Sequence, residues 1–247
     1  MKVYFFATCL GGVVYSQTIV NCIKLLRKEG VEVIFKKDQT CCGQPSYNSG
    51  YYDQSRQVIL HNLKLFNEDY PVIVPSGSCV GMMAHDYKEL FEDSPHYDEV
   101  AHFAGRVFEL SEFLDQKLGV RYTDTGAPVK ITWHSNCHAL RVAKVIQSAK
   151  KIIAQLENVE LVELEREEEC CGFGGTFAIK EPEISFAMVQ DKIKDIESRQ
   201  VEYVLAADAG CLLNISGAMS KMQSQTKAMH FYDFLAQRVG VAPGGLA

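Results

Sequence analysis

Two adjacent cysteines followed at once by glycine occur twice in the chain, as CCGQP at 41–45 and CCGFGG at 170–175. The sequence around them repeats as well. The first half runs YFFATCL, an amphipathic stretch, VEVIFKKDQTCCGQP, a second helical stretch and PVIVPSGSC. The second runs ITWHSNCH, an amphipathic stretch, VELVELEREEECCGFGG, a helical stretch and VEYVLAADAGC. Each half closes on a similar segment, VFELSEFLDQKLGV at 107–120 and MHFYDFLAQRVGV at 229–241. Similarity sustained over this length reads as a tandem duplication, so the fold is expected to be two copies of one unit.

Within each unit, short β-rich runs alternate with helical patterns. The runs are Val3 to Phe6, Val31 to Phe35 and Val72 to Val74, then Val129 to Trp133, Val159 to Leu164 and Val201 to Leu205. Between them apolar residues recur at helical spacing: Ile19, Ile23, Leu26; Ile59, Leu63, Phe66; Val142, Ile146, Ala149, Ile153, Leu156; Phe186, Val189, Ile193, Ile196. Strands alternating with helices predict βαβ units and a parallel sheet. The expected fold is therefore α/β, with two pseudo-symmetric Rossmann-like lobes and mostly parallel sheets. RYTDTGAP, at 121–128, carries Gly and Pro without apolar periodicity. It marks the expected boundary, with one lobe over 1–122 and the other over 123–247.

The duplication puts cysteines at matching places. Cys9 and Cys137 follow the first strand of each unit, the CCG triplets follow the second, and Cys79 and Cys211 follow the third. The carboxyl ends of parallel strands form the ligand crevice of such sheets, so each lobe gathers four thiols at one rim. The chain has 247 residues, 47% of them hydrophobic, enough for two modest cores. No apolar run approaches a membrane span, and the short apolar start MKVYFFATCL lacks the form of a signal peptide, so a cytoplasmic protein is expected. In that reducing compartment nine cysteines, an odd number, do not suggest a disulfide framework. A net charge of −6 and the lack of a basic stripe exclude nucleic acid as an expected partner.

The spacings are C-x31-CCG-x35-C and C-x32-CCG-x38-C. Structural zinc usually draws on knuckles of two cysteines separated by two to four residues, which are lacking here. Adjacent side chains of an extended chain point oppositely, so both sulfurs of a pair reach one site only if the backbone turns sharply. The glycine that follows allows that turn, because it accepts positive φ. Two neighbouring sulfurs suit a cluster that offers them different irons, and four thiolates are the usual complement of one. Zinc, thiol redox chemistry and plain core packing remain as alternatives. The core reading is adopted for Cys22, which shares a helix face with Ile19, Ile23 and Leu26.

These motifs resemble the cysteine-rich CCG domains of the heterodisulfide reductase B subunit, the glycolate oxidase iron-sulfur subunit and the anaerobic glycerol-3-phosphate dehydrogenase C subunit. CCGQPSYNSGY, VPSGSCV, ELSEFL, HSNCHALR, CCGFGGTFAIK and GCLLNISG are most similar to the iron-sulfur A subunits of bacterial L-lactate utilisation systems. The resemblance spans nearly the whole chain. It implies an oxidoreductase subunit that carries electrons in the oxidation of L-lactate to pyruvate, working with two companion subunits, one of them ferredoxin-like. It also implies iron-sulfur clusters of the 4Fe-4S kind, one per lobe, held by Cys9, Cys41, Cys42 and Cys79 and by Cys137, Cys170, Cys171 and Cys211. Zinc at one site, or a zinc-stapled docking module without catalysis, is the alternative. The heterodisulfide reductase pattern has a further cysteine where this chain has Met82 and Asn214, so its non-cubane cluster does not carry over.

His134 and His138 flank Cys137, and Arg141 follows one turn later. Imidazole titrates near neutrality and guanidinium grips carboxylates, so the three are candidates for ligand, proton relay or substrate contact. The alternative is that the histidines only bond a strand-to-helix corner. Beside Cys9 stand Thr8 and Leu10 instead. The acidic run ELEREEE at 163–169 is expected to be a solvated face, and Tyr47, Tyr51 and Tyr52 to pack.

Overall fold

In the computed structural model, which describes residues 1–242, strands β1 (Lys2–Phe5), β2 (Glu32–Phe35), β3 (Val72–Val74) and β4 (Val107–Glu109) form one sheet in the order β2-β1-β3-β4. Strands β5 (Val129–Trp133), β6 (Val159–Leu161), β7 (Tyr203–Ala206) and β8 (Lys227–His230) form another in the order β6-β5-β7-β8. Every strand pairing is parallel. The fold is thus α/β with two similar lobes, as the duplication predicts. Residues 243–247 of the expected second lobe lie outside the described residues.

The central strands β1, β3, β5 and β7, buried on both faces, read as nearly continuous apolar runs, and their alternation divides the core in two. Val3 and Phe5 of β1 join a cluster with Ile73, Leu110 and Phe113, whereas Tyr4 and Phe6 join Ile59, Val72, Val74 and Phe103 on the other face. In the second lobe Val204 faces Val189, Ile193 and Ile215, while Leu205 turns the other way. The cluster with Phe5 and Leu110 also contains Trp133, Leu205, Phe231 and Phe234, so one apolar core runs through both lobes. The helix Ser16–Lys28 of lobe one lies against the helix Phe231–Arg238 of lobe two, and Thr18 and Asn21 donate to the Asp233 carboxylate at 2.5 and 2.8 Å.

Three local expectations are corrected. The fourth strand of each sheet was not anticipated, because β4 and β8 are three and four residues long and open segments with helical periodicity. β6 stops at Leu161, short of the run to Leu164, because it is an edge strand paired only with β5 over three residues. The pattern from Val142 to Leu156 is not one helix: a π-turn over Ala139–Ala143 ends at Lys144, which has φ 58°, and the helix proper is Ile146–Ile153. Lys144 is too exposed for its charged side chain to have signalled that break.

The connector at 121–128 is irregular and fastened to the end of lobe two. Asp124 and Arg238 form a buried ion pair at 2.5 Å, and Arg238 Nη1 also donates to the Ala127 carbonyl at 2.6 Å. Burial acts to raise the Asp124 pKa, but the Arg238 guanidinium and the Gly126 and Asn158 amides outweigh it and hold the carboxyl below its usual range.

Candidate metal centre

In each sheet the chain steps from β1 to β2 on one side and returns to β3 on the other, which makes the β1/β3 border a topological switch point; β5/β7 is its counterpart. The cysteines collect there. Cys9 opens the short helix Cys9–Val13, Cys79 lies in the turn Gly77–Gly81, and Cys211 is in the first turn of the helix Ala209–Met222. The CCG loops enter from the ends of β2 and β6. Gly43 has φ 90° and Gly172 φ 81°, so both pairs end in the turn that glycine was expected to allow.

In lobe one Sγ of Cys9 lies 3.6 Å from that of Cys41, and Sγ of Cys42 lies 3.4 Å from that of Cys79. In lobe two Cys170 interacts with Cys137 and with Cys171, and Cys171 with Cys211. All eight of these cysteines line a single cavity of about 100 Å³ between the lobes. The two thiol sets therefore share one space. Cys22 lies elsewhere, fully buried in the core.

The two turn glycines differ in their surroundings. A Cβ on Gly172 would meet the Ser185 carbonyl oxygen at 2.7 Å, whereas one on Gly43 would find nothing nearer than 3.7 Å. Both carry the left-handed penalty of about 1–2 kcal/mol for a residue with Cβ. Gly172→Ala is expected to be the more damaging of the two, and urea unfolding midpoints of the variants check the order.

Charge is focused on the first cysteine of each pair. Hydrogen bonds from the Cys42 and Cys9 thiols, helped by the Gly43 and Cys42 amides, lower Cys41 to about 3 against the effect of burial. Cys137 and Cys171 do the same for Cys170, which also accepts from the Gly172 amide at 3.3 Å and falls to about 2. Cys9 and Cys137 are raised, chiefly by donating to those thiolates and by burial. For Cys211 the Cys171 thiol acts to lower the pKa, but burial and the charge of Asp208 leave it raised. These shifts favour the thiolate form at Cys41 and Cys170, and thiolate is the form that binds metal. The donor set thus fits a metal centre in each lobe.

Side chains that the sequence reading passed over hold these loops. Asp208 caps the helix Ala209–Met222, accepting from the Gly210 and Cys211 amides at 3.1 and 3.2 Å. Its other oxygen reaches across to lobe one, accepting from the Ser76 and Ser78 hydroxyls at 2.9 and 2.5 Å. Ser49 and Thr176 meet at 2.7 Å, joining the loops that follow the two CCG triplets. Thr8 caps Gly11 at 3.1 Å and holds φ 59°, unusual for a β-branched residue. Asn136, at the matching place, caps Ala139 at 2.8 Å and donates to Cys211 Sγ at 3.3 Å. An Asp, Thr or Asn just before a helix is a signal that was available in AADAGC, FATC and HSNC.

Met82 and Asn214 now have distinct roles. Tyr87 donates to the Cys42 carbonyl at 2.7 Å, and Met82 beside it is fully buried packing. In lobe two the Cys171 carbonyl accepts instead from Asn214 at 2.8 Å, and Met219 stands where the count from the cysteine places Tyr87.

The three secondary candidates part company. His138 lines the shared cavity and bonds Asp86 of lobe one at 3.2 Å. His134 is buried, and burial lowers its pKa to about 4. Arg141 is exposed, with its guanidinium on the Glu168 carbonyl at 3.1 Å, and it does not line the cavity. The acidic run is only partly solvated, since Glu167 bonds Lys150 at 2.7 Å with its side chain 19% exposed. Tyr47 packs against the lobe-one core and its ring lies 5.5 Å from that of Tyr52, while Tyr51 and Tyr52 themselves are 55% and 49% exposed.

Comparison with known proteins adds the following. The family model described as a cysteine-rich domain, CCG, matches residues 3–84 and again 131–216. "Lactate utilization protein A 2" of Bacillus cereus (strain 03BB102) is 38% identical over 238 residues, covering 96% of this chain and 98% of its own length. "Lactate utilization protein A" of Oceanobacillus iheyensis is 39% identical, covering 95% of this chain and 96% of its own length. A crystal structure of a hypothetical protein from Helicobacter pylori superposes with a TM-score of 0.65 at 14% identity, over 97% of this chain. The chain spans 49% of that structure, and the likeness is one of fold alone. No helix among the described residues is long and apolar enough to cross a membrane.

Proposed function

The chain belongs to the CCG cysteine-rich domain family, and from that premise we propose that it is the iron-sulfur subunit of a cytoplasmic complex oxidising L-lactate to pyruvate. Cys9, Cys41, Cys42 and Cys79 would hold one centre and Cys137, Cys170, Cys171 and Cys211 the other. Each would be a 4Fe-4S cluster, and the chain would work with two companion subunits, one ferredoxin-like. The names of its relatives support lactate as the substrate of the system.

The observation that carries this reading is the gathering of four cysteines from each lobe around one cavity. In lobe one the sulfurs pair at 3.6 and 3.4 Å, yet among the described residues no three cysteines lie mutually within 4.8 Å. Four cysteines in each lobe are the usual complement of a centre with several irons. When bound, the clusters would supply one-electron carriers close enough to share the two electrons of lactate oxidation. The chain's part is to present thiolates at Cys41 and Cys170, to direct amides at the sulfurs and to fix the spacing of the lobes through Asp208.

Zinc in lobe two is the second reading, favoured by a closer group there: ligand atoms of His134, Cys171 and Cys211 lie within 4.8 Å of one another. Anaerobic purification followed by iron, zinc and acid-labile sulfide analysis separates the two. Iron with sulfide at both sites is expected, and zinc without sulfide at both would sink the electron-transfer role. Substrate is tested separately. A strain lacking the chain should fail to grow on L-lactate and recover with the intact gene, and undiminished growth would remove lactate from the proposal.

A further inference from the structure

The two halves differ where their first strands end. His134 stands three residues before Cys137, and Phe6 three before Cys9. Their backbones are used alike: the His134 amide donates to the Leu205 carbonyl at 2.8 Å and the Phe6 amide to the Ile73 carbonyl at 2.9 Å. Both side chains are buried, at 1% and 0% exposure. For Phe6 that is ordinary packing, in the cluster with Ile59 and Cys42.

For His134 it is costly. Neither Nδ1 nor Nε2 has a hydrogen-bond partner among the described residues. A buried polar atom left unmet is destabilising, and this ring has two. One ring nitrogen lies within 4.8 Å of both Cys171 Sγ and Cys211 Sγ. The ring also borders a second, smaller cavity lined by Glu109, Ser111 and Trp133. A histidine that binds metal commonly passes its other N–H to a carboxylate, directly or through water. Glu109 is the carboxylate on that cavity, itself held by Ser111 and Tyr232.

We propose that His134 takes the place of one of the four lobe-two cysteines as a ligand of the iron-sulfur centre there, beside Cys171 and Cys211, which makes that centre a mixed sulfur and nitrogen site beside an all-sulfur one in lobe one. The inference rests on the proposed function, since it takes the cysteines to hold iron. Nitrogen in place of sulfur raises the potential of a cluster. The two centres would then be unequal electron carriers, with lobe two the easier to reduce. Lobe one has Phe6 in the corresponding place, and its ring offers no donor atom.

The test uses the full chain purified anaerobically and partly reduced, with histidine labelled by ¹⁵N. Pulsed paramagnetic resonance is expected to show a histidine nitrogen coupled to one of two distinguishable centres. In unlabelled protein the matching ¹⁴N coupling should vanish in His134→Phe and persist in His138→Gln. His134→Phe is also expected to shift the higher of two midpoint potentials downward. The labelled wild-type measurement stands even if the variant folds poorly. Iron and sulfide at both sites with no histidine coupling overturns the ligand while leaving the proposed function intact, as does a coupling that survives His134→Phe. Zinc, or no metal, in lobe two overturns the cluster reading there and the ligand with it, and metal analysis tells that failure from the first.

Discussion

Cys171→Ser is expected to lower bound iron and acid-labile sulfide to about half, with the iron of lobe one retained. Cys171 is 2% exposed, and its sulfur lies within 4.8 Å of Cys211 Sγ. Serine keeps the volume but offers an oxygen that is a poor partner for iron and stays protonated at neutral pH. Cys42→Ser should produce the mirror result. Cys22→Ser is the control: Cys22 is as deeply buried but belongs to the apolar core, so iron should be unchanged while stability falls by about 1–3 kcal/mol from the unmet hydroxyl. Iron, sulfide and the unfolding midpoint measured on the three variants decide the matter. Full iron in Cys171→Ser would remove it from the ligand set, and loss of all iron would show that the two halves do not load separately.

Asp208→Ala should be the most damaging change outside the cysteines. Buried at 3% exposure, the carboxylate joins two helix starts that belong to different lobes. Losing a helix cap costs about 0.5–2 kcal/mol, and each hydrogen bond to a charged group adds about 1.5–3. A loss of roughly 3 kcal/mol or more in urea unfolding is therefore expected. Because Ser76 and Ser78 lie just ahead of Cys79 while Asp208 lies just ahead of Cys211, iron should become labile to chelators in both lobes. Lability confined to lobe two would mean that the carboxylate acts only as a local cap. Asp208→Asn, which keeps one acceptor oxygen, should fall between the two.

Much of this was legible in the residues, and for identifiable reasons. The repeated CCG triplets gave the duplication, and β-rich runs alternating with helical spacing gave parallel sheets, because both faces of the central strands are covered. The positive φ of Gly43 and Gly172 followed from the need to turn two adjacent sulfurs toward one place. What could not be read was the meeting of the lobes. Each rim was expected to gather four thiols, but nothing local says that both rims open on the same cavity. That depends on the helix Ser16–Lys28 lying against Phe231–Arg238 and on Asp208 reaching Ser76, contacts between residues far apart in sequence. β4 and β8 were hidden by their brevity. Arg141 was proposed from chemistry alone, and a guanidinium able to grip a carboxylate is bonded instead to a backbone oxygen at the surface.

The exchange of donors at the two CCG carbonyls bears on the history of the chain. Tyr87 with Met82 serves one copy, and Asn214 with Met219 serves the other. Changing Asn214 alone to the methionine of its sister would strip a backbone oxygen of its donor, and only a second change, bringing a hydroxyl from elsewhere on the helix, could restore it. After the ancestral gene doubled, a step at one position thus altered which steps were tolerable at another. The halves have become matched but non-interchangeable, and a protein rebuilt from two identical repeats of either half would not inherit the behaviour of the present pair.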